Sequence, residues 1–327
     1  MLKIIHGGIQ SVVEDWPGRL GYLGAGMAPA GATDNVALQF GNFLVGNEPG
    51  EAGIEIAVGM FTGKFEDDAV IAITGADMNP TIDGASVPMW ESFKVNAGSK
   101  IKFGSYGEKG FRAYISVAGG IDVPVYLGSK STCLFGGYGG FEGRALKPQD
   151  EIKFGNPSVN LDSLVGRKVK PAAIPVYENK IKLRLIVGMN AYPDFVTMEG
   201  MDYLFNHEHK LSINSNRSAC RLEPVPDNFF ARENGGAGGS HPSNIIDHAY
   251  NMRGAINITG NTPSLLIADG PTLGGFMCAG NVINADLWKI GQAAPDRDYV
   301  IFVQATLDDA IEARKEQRKW LSMDSII

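Results

Sequence analysis

The chain has 327 residues, with 29 Lys and Arg against 36 Asp and Glu, a formal net charge of −7 and a pI near 5.3. That balance argues against nucleic acid or an anionic membrane surface as partner and favours a small ligand or another protein. The length predicts two domains, and three scattered cysteines without C-x-x-C spacing point away from a disulfide framework or zinc site and towards a reducing cytoplasm.

The first fifteen residues hold one lysine and an alternating run broken by acids, unlike a signal peptide, and no apolar run reaches the roughly 18 residues of a membrane span. The 42 glycines and 17 prolines punctuate short runs rich in Val, Ile, Phe and Tyr. This pattern predicts a mainly β protein with many turns and few short helices.

In chain order, a strand is expected over residues 3–10, followed by a loop at Glu14-Asp15-Trp16-Pro17-Gly18-Arg19 whose Glu14, Asp15 and Arg19 brace the turn by a salt bridge or, alternatively, contribute to the pocket. Thr33 or Asp34 then caps a helix carried by Val36, Ala37, Phe40, Phe43 and Leu44, with Gly46 at its C-terminal cap. Strands follow near residues 53–58, 60–65, 70–74, 80–82, 86–89, 99–103, 111–118 and 150–154. Asp83-Gly84 marks a hairpin between two of them. So many strands with so little helix predict a closed barrel or a sandwich over residues 1–155.

Residues 156–180 read as a linker. Over 181–327 a second β series is expected: strands at 182–187 and 210–213, a short helix within 192–205, and an exposed helix from Asp308 to Trp320. The richest stretch is 235–292. It sets two glycine-rich turns, a histidine, carboxamides, acids and a lysine around an apolar strand, Ser264 to Ala268. Polar groups at the end of a buried strand, beside glycines that admit a ligand to the backbone, are how sites are commonly built.

The motifs EDWPGRLGY at 14–22, GATDNVALQFGNFLVGN at 31–47, AGIEI at 52–56, GGIDVPVYLGSKST at 119–132 and GRAL at 143–146 belong to one set. With them go NSNRSACRL at 214–222, GGSHPSNIID at 238–247, DGPTLGGFMC at 269–278 and ADLWKIGQ at 285–292. Together they resemble the allophanate hydrolase subunit 2 family, also called the biotin-dependent carboxyltransferase family. The likeness is strongest to the first half of the urea carboxylase carboxyltransferase domain.

The resemblance implies two β-barrel-like, cyclophilin-like domains and a subunit 1 polypeptide as partner. It also implies biotin as cofactor, with biotin carboxylase and biotin carrier on other chains, because this sequence holds neither an ATP-grasp glycine loop nor a biotinyl-lysine motif. The acceptor would be urea or a similar small amide or guanidine-like compound. Two rivals stand beside this reading: a 5-oxoprolinase-type subunit that takes part in ATP-dependent opening of a lactam, and a non-catalytic regulatory partner of a subunit 1 protein.

Carboxyl transfer of this kind needs two reactants held in orientation and developing negative charge stabilised. Arg217 and Arg221, four apart, would share a face if their turn were helical and could fork a carboxylate or ureido oxygen; alternatively they pair with Glu223 or Asp227. His241 and Asn244 in the HPSN turn are ligand contacts or a structural turn. Asp269 holds a substrate amide or caps the loop of Gly274 and Gly275, the glycines that would admit biotin. Lys289 is a cation at the carboxylate or a solvated side chain. His207 and His209 find no third metal ligand, so no metal is expected.

Overall fold

The computed structural model describes residues 1–245, 252–270 and 274–327. Residues 246–251 and 271–273, parts of the GGSHPSNIID and DGPTLGGFMC motifs, lie outside the described residues. Two compact units form: Met1–Tyr22 with Pro29–Tyr177 and Arg318–Ile327, and Leu23–Ala28 with Glu178–Gln317. The described chain is mainly β, with few helices, in line with the composition.

In the first unit the strands are β1 (Leu2–Gly7), β2 (Gln10–Glu14), β3 (Gly53–Ala57), β4 (Phe61–Phe65), β5 (Ala69–Gly75) and β6 (Thr81–Ile82). They continue with β7 (Ala85–Ser86), β8 (Ser92–Val95), β9 (Lys100–Lys102), β10 (Arg112–Val117) and β11 (Glu151–Ile152). A six-stranded sheet runs β11-β1-β4-β9-β6-β7 and a five-stranded one β2-β3-β10-β5-β8. The inward residues of both sheets, among them Leu2, Ile4, Phe61, Ile54, Ile73 and Ile115, make one core. Gly8, at φ 70°, turns the chain between β1 and β2, so the single strand expected over 3–10 is two strands in different sheets.

Helix α1 (Asn35–Leu44) covers the outer face of the five-stranded sheet, which is why every residue of β5 and β10 is buried. Asp34 caps it as expected, its Oδ1 accepting the backbone N–H of Val36 and Ala37. Asp83 and Gly84, both at positive φ, form the expected hairpin turn between β6 and β7.

The stretch expected as a linker is for the most part built into this unit. Leu164 is fully buried, and Val169 bridges Ile326. Apolar side chains at scattered spacing are enough to anchor it, although no periodicity announces them.

The described residues of the second unit form a seven-stranded sheet of order β13-β18-β12-β17-β15-β16-β14. Its strands are β12 (Lys180–Val187), β13 (His209–Lys210), β14 (Ala219–Arg221), β15 (Ala255–Thr259), β16 (Thr262–Leu266), β17 (Cys278–Val282) and β18 (Tyr299–Gln304). The pair β12 and β18 is parallel and the rest antiparallel. Helix α2 (Met198–Asn206) packs on β18, while α3 (Leu287–Ile290) and α4 (Leu307–Trp320) follow later in the chain. One sheet face carries the core, with Leu183, Cys220, Ile256, Ile258, Leu265 and Phe302.

Candidate functional site

Strand pairing decides which polar side chains of the 214–292 stretch meet. Beyond the paired residues of β14 and β16, Ile267 N–H donates to Ser218 O and Asp269 N–H to Arg217 O. This brings the two side chains together across the strands. Arg217 Nε and Nη2 each lie 3.3 Å from an Asp269 oxygen, with both residues at most 2% exposed. Arg217 and Asp269 thus form a buried fork-to-carboxylate pair, and neither charge stands uncompensated.

Arg221 is not on a helical face with Arg217. It ends β14 and sits opposite Ser264; Ser264 sits opposite Asn257, and Asn257 opposite Cys278. Directly paired residues point to the same side of a sheet, so Arg221, Ser264 and Asn257 make a polar row, with Cys278 beside it, on the face away from the core. Ala219, Ala255, Leu266 and Cys278 are the buried apolar members of that face. Within the row, Asn257 Oδ1 is buried and accepts no hydrogen bond among the described residues. Arg221 Nη1 donates to Asn214 O. The Cys278 backbone N–H donates to Asn190 Oδ1, and burial pushes the Cys278 thiol up, so it stays protonated.

At the opposite end of β16 lie His241 and Asn244. His241 Nδ1 accepts the Ser243 N–H at 3.2 Å and lies 2.9 Å from Ser243 Oγ, while Nε2 is 3.0 Å from Asn261 Oδ1. A proton on Nε2, donated to Asn261 Oδ1, satisfies this set. The ring edge rests on Phe230, 5.4 Å between centroids. Asn244 bridges Phe276, and Ile245 N–H donates to Gly275 O, so Gly275 belongs to this cluster; Gly274 is the residue before it. The glycine turn at 235–239 closes around Asn244, because a Cβ on Gly238 would come within 2.6 Å of its carbonyl oxygen.

Asn261 and Asp269 are eight positions apart along β16 and its extension, which separates the two ends by on the order of 20 Å. The candidates expected around one strand end are therefore distributed: Arg217 with Asp269 at one end, His241 with Asn244 and Gly275 at the other, Arg221 between.

Lys289 joins none of these. Its ammonium is 2.7 Å from Asp286, which also binds Arg184 at 2.9 Å, and donates to Lys182 O. Burial pushes the Asp286 carboxyl up, but the bonds from Arg184 and Lys289 outweigh it and hold it below the ordinary carboxylate range.

Sequence reasoning missed Asn261, Asn257, Ser264 and Asn190 as polar members of these clusters. The alternation Ala255-Ile256-Asn257-Ile258 was the available signal for one of them, since a polar residue between two core residues faces the other side of its strand. In the turn at Glu14 to Arg19, Asp15 and Arg19 do not pair with each other among the described residues. Asp15 binds Ser129, Ser131 and the backbone of Lys130, and Arg19 turns to carbonyl oxygens. His207 meets Glu223 and stacks on Tyr203, and the buried His209 donates from Nε2 to Leu204 O.

The architecture is that of the carboxyltransferase portion of urea-processing enzymes. A crystal structure of the K. lactis urea amidolyase matches 100% of this chain at a TM-score of 0.91 with 33% identity, using 20% of that longer chain. The chain belongs to the family described as carboxyltransferase domain, subdomain A and B, which matches residues 25–304. It is 37% identical to the urea amidolyase of Saccharomyces cerevisiae over 320 residues, which is 97% of this chain and 17% of that one. It is also 33% identical to a 5-oxoprolinase subunit of Escherichia coli over 322 residues, 98% of this chain and 96% of that one. The chain thus spans under a fifth of the yeast relative's length.

Proposed function

We propose that this chain is one part of a biotin-dependent carboxyltransferase that moves a carboxyl group from carboxybiotin, borne on a separate carrier, to urea or a similar small amide or guanidine-like acceptor. The observation that carries this reading is the 37% identity to a urea amidolyase over 97% of the chain. A subunit 1 polypeptide would complete the site, with biotin carboxylase and carrier on other chains and a cytoplasmic setting. Among the described residues no helix is long and apolar enough to cross a membrane.

The donor set suits a ureido ring, which offers two N–H groups and a carbonyl. Asn257 Oδ1 is a buried acceptor without a partner among the described residues, and Arg221 lies in the same row with a guanidinium to donate. Carboxybiotin would supply the activated carboxyl group. Within this reading the Arg221, Ser264 and Asn257 row orients the ureido or acceptor group by hydrogen bonds. The Arg217–Asp269 pair fixes the C-terminal end of β16, the strand whose Ser264 belongs to the row. His241, with both ring nitrogens engaged, holds the turn that presents the Asn244 amide and Gly274–Gly275.

The test is carboxyl transfer with carboxylated carrier, this chain and its subunit 1, offered urea, guanidine, acetamide or 5-oxoproline. Loss of carboxyl from the carrier, stimulated by urea and absent without this chain, is the expected result. A second reading, a 5-oxoprolinase-type subunit, is favoured by one observation: the bacterial relative of that kind is matched over 96% of its own length. ATP-dependent opening of 5-oxoproline without any biotin carrier would select it, and no response to any acceptor would overturn the first.

A further inference from the structure

The first unit holds a cavity of 540 Å³ whose lining includes Tyr126, Tyr138, Phe141, Asp122 and Lys153, within the roughly 300–1,000 Å³ typical of small-molecule sites. Its chemistry is set by a residue just outside the lining. Arg19 is 1% exposed, and its guanidinium carbon lies 5.0 Å from the Tyr138 ring centroid and 5.7 Å from that of Tyr126. Nε donates to Tyr126 O at 3.1 Å and Nη2 to Ser131 O, and Nη1 has no hydrogen-bond partner among the described residues.

Among those residues no carboxylate pairs with Arg19. The nearest one in its bonding chain is Asp15, which binds the hydroxyl of Ser131 and is one residue removed. A buried guanidinium answered by carbonyl dipoles and ring faces rather than by a carboxylate leaves positive potential in its surroundings. A tyrosine ring with a cation against it is also a poor partner for a second cation.

Three further features agree. The backbone N–H groups of Gly139, Gly140, Phe141 and Glu142 make no hydrogen bond among the described residues, so the loop offers donors. Lys153 at the lining forms no ion pair among those residues. Of the three acids in the lining, Glu142 is taken up by Arg144 and Glu151 lies 3.9 Å from Lys3, which leaves Asp122.

We propose that this cavity binds a small organic carboxylate with a flat apolar body, the carboxylate at Lys153 and the loop amides and the body against Tyr126, Tyr138 and Phe141. The site lies wholly in the first unit and does not depend on the carboxyltransferase reading.

The test uses the full chain and calorimetric titration with phenylacetate, 2-phenylethylammonium and inorganic phosphate. Phenylacetate is expected to bind in the millimolar range or tighter, phenylethylammonium at least about tenfold more weakly, and phosphate, lacking the body, not at all. Lys153→Ala and Tyr126→Ala should each weaken phenylacetate about tenfold or more, with thermal melts confirming that both variants fold. Lys153 is exposed, so that arm survives even if Tyr126→Ala does not fold. Equal or tighter binding of phenylethylammonium, no binding of phenylacetate, or phenylacetate binding untouched by Lys153→Ala overturns the proposal.

Discussion

Arg217 in the second unit and Arg19 in the first are 2% and 1% exposed, yet the fold neutralises them in different ways. Arg217 faces the Asp269 carboxylate in a two-pronged pair, and the strands on which they sit are hydrogen-bonded beside it. Arg19 is held by carbonyl oxygens and two tyrosine rings, with no acid among the described residues. The first arrangement sets opposite charges against each other and fixes a strand end. The second leaves Nη1 of a buried cation without a hydrogen-bond partner among the described residues, beside the cavity of the first unit. A buried charge therefore points to function when its neutralisation is incomplete, and to architecture when it is complete.

The sharpest way to break this contrast is to open the closed pair. Asp269→Ala strands the Arg217 guanidinium and should cost about 3–5 kcal/mol in a urea unfolding series, with Arg217→Met in the same background recovering most of it. A loss below about 1 kcal/mol would mean that the pair does not hold the strand end.

Next comes Gly139→Ala. Gly139 sits at φ 71°, and a Cβ there would overlap Arg19 Nη2, so the change should cost about 1–3 kcal/mol by displacing the guanidinium or straining the loop. The same unfolding measurement checks it, and calorimetry should show phenylacetate binding weakened alongside.

His209 shows a third solution to burial, which is to remain neutral. Burial holds its imidazole below the ordinary histidine value, with Nδ1 unpartnered among the described residues and His207, Tyr203 and Phe302 packed around it. The unfolded chain takes up a proton near pH 6.5 and the folded chain only at lower pH. Stability is therefore unaffected above about pH 6.5 and falls as pH drops below it, by at most about 1.4 kcal/mol per pH unit. Unfolding followed between pH 7.5 and about 5.5 should show this slope, and His209→Leu should flatten it.

The smallest effect belongs to an ion pair left in water. Lys180, 60% exposed beside Glu208, should change stability by under about 0.5 kcal/mol on replacement by Ala. A larger change would show that exposure is not what separates this pair from Arg217–Asp269.

Much of the fold was legible in local signals. Asp34 as a helix cap, Asp83-Gly84 as a hairpin turn, the exposed C-terminal helix and most strands each rest on neighbours in sequence. Elements read less well where the apolar pattern was short. β8 passed unnoticed between Trp90 and Asn96, as did β14, β15, β17 and β18 in the second unit, and the segment that reads as a linker holds the anchors Leu164 and Val169. The candidate site was legible as a set of residues but not as a shape. Arg217, Asp269, His241 and Asn244 share one stretch of chain, and only the run of β16 between them shows that they lie at its two ends.

By itself the sequence determined the mainly β class, the family and the turn and cap residues, because each depends on side-chain period or on backbone conformations that few residues adopt. Tertiary structure alone decided the partners of the charged groups. Arg217 meets Asp269 across 52 positions, and Arg19 meets Ser131 across 112. Contacts over such separations follow from strand register and sheet order, which single-residue preferences do not encode.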